Sequence, residues 1–129
     1  MNPGFRGWAR PRHKTFVGEP QTIDTSNGNT FYHGFGRVPG CVVVTLVCVT
    51  ANNGFAVGEK MPFQILYRFA NGDADGLPYW FERHTDQYVF VKLSSSDIRM
   101  QTDSLGSGVA FTASEWKVEV RCEDIEPAK

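Results

Sequence analysis

The hydrophobic pattern is densest between residues 41 and 50, where the chain reads Cys-Val-Val-Val-Thr-Leu-Val-Cys-Val-Thr. Val42, Val44, Leu46 and Cys48 fall on one alternating face, and Cys41, Val43, Val47 and Val49 on the other. Valine crowds χ1 in a helix and packs well on a pleated surface, so the run predicts a strand that is apolar on both faces. A sheet normally turns one face to water, so the second apolar face predicts a covering layer or another subunit. Gly34, Gly36, Pro39 and Gly40 punctuate its entry, and Asn52-Asn53-Gly54 its exit, where positive φ costs little.

Residues 115–123 alternate cleanly: Trp116, Val118, Val120 and Cys122 face in, while Lys117, Glu119, Arg121 and Glu123 face out. Further strands are predicted over 63–69, 78–84, 88–93 and 98–102, the last two joined as a hairpin through the Ser/Asp turn at 94–97. Residues 22–25 and 30–35, around Ser26-Asn27-Gly28-Asn29, predict another hairpin. Roughly eight short strands separated by turn signals imply an all-β fold, a single β-sandwich of jelly-roll type, over residues 21–129. Residues 1–20 follow neither period. Phe5, Arg6, Trp8, Arg10 and Arg12 are read as an extended N-terminal arm, in which the rings anchor on a partner protein and the arginines set register.

With 129 residues, 41% of them hydrophobic, the chain can bury one core. The net charge of −1 supplies no field for nucleic acid, and an apolar run of about ten residues is too short to span a bilayer. The first residues contain no apolar h-region of a secretory leader. Cys41 and Cys48 lie seven apart on one strand, on opposite faces and roughly 23 Å from each other, so they cannot bond. With Cys122 they are read as small buried hydrophobes in a reducing compartment.

Two stretches carry candidate chemistry. Asn71, Asp73, Asp75 and Glu82 fall at positions 1, 3, 5 and 12 of a calcium-loop pattern. The first ligand is Asn, Pro78 interrupts the return and strands flank the loop, so an Asn/Asp/Gly turn without metal is the preferred reading. No metal and no cofactor are expected. Tyr79, Trp80 and Phe81 can stack on sugar rings, although alternation also lets them bury in a core or interface. Tyr88 and Phe90, opposite the inward Val89, Val91 and Leu93, raise the same question. No nucleophile elbow or paired carboxylates stand out, and the enzyme reading is not adopted.

His33-Gly34-Phe35-Gly36, Val38-Pro39, the strand ending in Cys48 and Gly54-Phe55-Ala56-Val57-Gly58-Glu59 together resemble a pattern of tailed-bacteriophage virion proteins. Leu105-Gly106 and Phe111-Thr112-Ala113-Ser114-Glu115-Trp116 are similar to the closing strand of their tail-fibre and appendage domains. The resemblance implies a non-enzymatic virion structural protein, assembled in the host cytoplasm, of tail-fibre or tail-appendage type with host-surface glycan binding as a further expectation. It implies other virion proteins as partners and no membrane insertion, while the strands apolar on both faces at 42–49 and 88–93 predict a homo-oligomer, with a trimer favoured. A capsid decoration or head-fibre protein is the alternative, and a glycan hydrolase or esterase the last.

Overall fold

The computed structural model describes residues 12–70, 73–74, 79–93, 98–102 and 108–126, and within them the chain is all-β, with antiparallel pairing throughout. One sheet joins β1 (Arg12–Thr22), β11 (Trp116–Glu126), β3 (Cys41–Cys48) and β4 (Lys60–Pro62), in that order. A second joins β2 (Asn29–Tyr32), β8 (Tyr88–Leu93) and β7 (Trp80–His84). A third joins β10 (Gly108–Ala110), β9 (Ile98–Gln101), β5 (Leu66–Ala70) and β6 (Asp73–Ala74).

The strong alternation of β11 decides the core. Trp116, Val118, Val120 and Cys122 are each at most 1% exposed. Opposite them on β3, Val44 pairs with Val120 and Leu46 with Val118. This inner face meets Phe31, Val89 and Val91 of the second sheet in one cluster, and Leu66, Ile98 and Met100 of the third in another. Burying each such side chain contributes about 1.5–3 kcal/mol. In place of the expected pair of sheets, one four-stranded sheet is faced by a three-stranded sheet and by a second four-stranded one of shorter strands.

The other face of β3 is broken up by charge. Val43 and Val17, 48% and 59% exposed, flank Arg121 across the sheet, and Lys117 and Lys60 flank Val47. Lys60 Nζ meets Glu119 Oε2 at 3.1 Å, and Arg121 Nε meets Glu123 Oε2 at 3.2 Å. The second apolar face that β3 presents in sequence is thus interleaved with solvated ions from β11 and β4.

Several sequence expectations are corrected. The arm ending at residue 20 loses its part from Arg12 onward: β1 begins at Arg12, opposite Glu126, and runs along β11 to the Thr22–Lys117 pair. Its period is hidden because the inward positions include Gly18, where an added Cβ would sit 2.6 Å from the Phe31 ring, and because the register shifts between Gly18 and Gln21. Such a bulge accommodates Pro20. The two hairpins also fail. β1 and β2 lie in different sheets, as do β8 and β9. Finally, Cys41 is exposed, because it sits on the outer face beside Glu123, while Cys48 and Cys122 are buried. Over 63–69, residues 63–65 form a 3-10 turn and the strand starts only at Leu66.

The corner between β1 and β2 is closed by a buried side chain. Asn29 Nδ2 donates to Gln21 Oε1 at 3.0 Å and to Thr22 O at 2.8 Å, while its Oδ1 accepts from the Asp24 N–H at 3.0 Å. Within the turn, Asp24 Oδ1 accepts the N–H groups of Ser26 and Asn27, both at 2.9 Å, and these bonds lower its pKa.

Asn29→Ala should lower unfolding free energy by about 1–3 kcal/mol, because part-buried groups of Gln21, Thr22 and Asp24 lose their partner; urea denaturation measures it, and an unchanged midpoint would count against the corner. A thiol titration at mildly alkaline pH should find Cys41 reacting at once and the other two only on unfolding. Burial pushes the Cys122 thiol up to about 11, so its thiolate is scarce as well as shielded. Rapid modification of a second cysteine in the native protein would contradict this packing.

Candidate functional site

The residues singled out in sequence are dispersed by the fold. Trp80 stands opposite Leu93, which turns its ring inward. The indole stacks on Phe63 at 5.2 Å and 24°, packs against both core clusters, and buries an Nε1 that has no partner among the described residues. Tyr79 is half-buried against the first cluster, and desolvation raises its phenol pKa. Only Phe81 points to solvent, 51% exposed. Of the two readings open for Tyr79-Trp80-Phe81, alternation packs Trp80 against the core and leaves Phe81 exposed.

Asn71 and Asp75 of the calcium-loop pattern lie outside the described residues, as do Phe5, Arg6, Trp8 and Arg10 of the arm; Arg12 opens β1. Asp73 pairs through its backbone with Ala70 in the third sheet. Glu82 lies in the second sheet and meets His84 Nε2 at 2.5 Å. Among the described residues no three His, Cys, Asp or Glu side chains group to hold a metal.

The glycine-rich stretch after His33 is structural. The N–H groups of His33 and Gly34 donate to Gln87 O, and that of Gly36 to Asp86 O, tying the stretch to the β7–β8 turn. His33 is buried. Its Nδ1 accepts from the Phe35 N–H at 3.0 Å, which assigns the ring proton to Nε2, donated to Thr85 O at 3.0 Å. Arg37 Nε donates to the buried Asp124 at 2.8 Å.

What the fold does assemble is an aromatic face on the outside of β2-β8-β7. On β8, Val89, Val91 and Leu93 are buried, so Tyr88, Phe90 and Lys92 point outward. Tyr32 pairs with Tyr88; Phe90 lies between Thr30 and Arg83; Phe81 pairs with Lys92. Tyr32 and Tyr88 meet edge to face at 5.7 Å and 65°, and Phe81 and Phe90 at 6.0 Å and 63°. Such pairs hold their rings at about 0.5–1.5 kcal/mol beyond burial. Tyr32 is 71% exposed. It also rims an open groove of about 420 Å³ between the bulge of β1 and β2, lined by Phe16, Gly18, Pro20 and Phe31.

Gly28 supports this face. Its φ is +81°, and an added Cβ would lie 2.5 Å from Phe90 Cζ and 3.0 Å from Lys92 Cβ. Reading the sequence had flagged Tyr88 and Phe90 but missed Tyr32, Arg83 and Lys92. Their signal was parity: Arg83 shares a face with Phe81, two residues earlier, and Lys92 with Phe90.

Comparison with family models, with curated proteins and with solved structures finds no match for this chain. Among the described residues no helix is long and apolar enough to cross a membrane.

Gly28→Ala and Gly34→Ala both place a side chain at positive φ, costing about 1–2 kcal/mol of backbone strain. Only Gly28 has Phe90 in the way, since nothing lies within 4 Å of a Cβ at Gly34. Gly28→Ala should therefore destabilise more and change the near-ultraviolet circular dichroism of the aromatic face. Equal midpoints and unchanged spectra for both variants would refute the Gly28–Phe90 contact.

Proposed function

We propose that this chain is a non-enzymatic virion structural protein of tail-fibre or appendage type, and that the outer face of β2-β8-β7 contacts saccharides of the host surface. The virion setting rests on the resemblance carried by residues 33–59 and 105–116. The contact role rests on one observation: Tyr32, Tyr88, Phe90 and Phe81 form a partly solvent-exposed row of rings on a rigid sheet. Rings fixed before binding lose little entropy when a pyranose stacks on them. The buried polar side chains of Asn29, His33 and Asp124 are each spent on structural bonds.

Immunogold labelling of particles encoded by the same genome should mark the tail appendage. Marking of the capsid shell would favour the decoration alternative, and unlabelled particles would overturn the virion reading. Tagged full-length protein should bind host cells, and Tyr32→Ala or Phe81→Ala should weaken that binding about tenfold with the fold intact. Trp80→Ala should instead destabilise the fold, by at most about 3–5 kcal/mol, because the partly buried indole packs against both core clusters.

A further inference from the structure

We propose that this face selects acidic saccharides, a step that rests on the saccharide-contact reading above. The argument is one of charge placed among rings. The outward positions of the three strands are Thr30 and Tyr32, Tyr88, Phe90 and Lys92, and Phe81 and Arg83, with no carboxylate among them. Arg83 is exposed, lies beside Phe90 in the register, and has no ion-pair or hydrogen-bond partner among the described residues. The two cations are not equivalent. Lys92 acts electrostatically on Asp24 in the turn beside it, so part of its field is already answered. Arg83 is the free charge. Its planar fork matches a carboxylate through two parallel hydrogen bonds, a geometry that a neutral sugar cannot exploit equally.

The layout fits an extended ligand. Tyr32 and Phe81 sit on the outer strands, two strand spacings apart and offset by four residues along β8, a diagonal of roughly 16 Å. Phe90 lies at its middle and Arg83 beside it. A short oligosaccharide crossing the strands would stack at both ends and present a ring carboxylate to Arg83 near the centre. Single-stranded nucleic acid also stacks on rings, but it carries a phosphate at every step and calls for a track of cations. One free arginine answers an occasional carboxylate better than a continuous polyanion.

The test is calorimetric titration of the full chain with a xylotetraose carrying a single glucuronate, with plain xylotetraose and with an oligothymidylate. The uronate-bearing chain should bind at least about tenfold more tightly than xylotetraose, the gain expected of a charge-assisted bond. Arg83→Gln, an exposed substitution checked by circular dichroism, should erase that difference, and Tyr32→Ala should weaken both saccharides. Equal binding of the two saccharides, or a uronate preference that survives Arg83→Gln, would overturn the charge selection and leave the saccharide contact standing. Failure to bind either would overturn both. Tighter binding of the oligothymidylate would reassign the face to nucleic acid.

Discussion

The fold depends on β11 being hydrogen-bonded along both edges, to β1 on one side and to β3 on the other. Its inward residues then lie between the inner faces of two flanking strands, and every buried position on it has a neighbour in the same plane. Removing either ladder would expose Val118, Val120 and Cys122 at an edge, where their apolar surface could no longer be excluded from water. Because β1 and β11 are drawn from opposite ends of the described chain, this pairing closes a long loop before it returns any contact energy. Such topologies fold slowly, on the scale of milliseconds to seconds. The aromatic face inherits its rigidity from the same arrangement, since β8 is buried against this central layer on one side and displays its rings on the other.

The strands easiest to read were those whose two faces differ most. β11 alternates charge with bulk, and β3 is dense in valine, so both were legible with their inward residues. β1 was not legible, because a lysine, a glycine and a bulged proline interrupt its inward face, and its partner is remote in sequence. Pairing was misread for a related reason. The Ser26–Asn29 stretch has hairpin chemistry, but Asn29 turns its amide back onto Gln21 and Thr22, and this closes a corner between sheets instead. Turn residues report that the chain reverses; they do not report which strand receives it.

The candidate site was half legible for a different reason. Tyr79-Trp80-Phe81 is aromatic on both parities, so sequence alone could not decide which ring would be buried. Leu93 across the strand decides it, drawing Trp80 in and leaving Phe81 out. Once that parity is set, Arg83 must share the exposed side with Phe81. Tyr32 belongs to the face only because β2 joins β8 rather than β1, a fact of topology that no local pattern encodes.

The pairing of Arg12 with Glu126 also has a mechanical meaning. These two residues are neighbours at one end of an antiparallel ladder. Tension applied between them would peel β1 from β11 one pair at a time, the weakest way to load a sheet. Tension between residue 12 and the ring-bearing sheet takes another route, along the covalent chain of β1 and through the corner that Asn29 clamps. The same strand is thus a zipper in one pulling direction and a tether in the other, and the direction of the load decides which one a bound surface would feel.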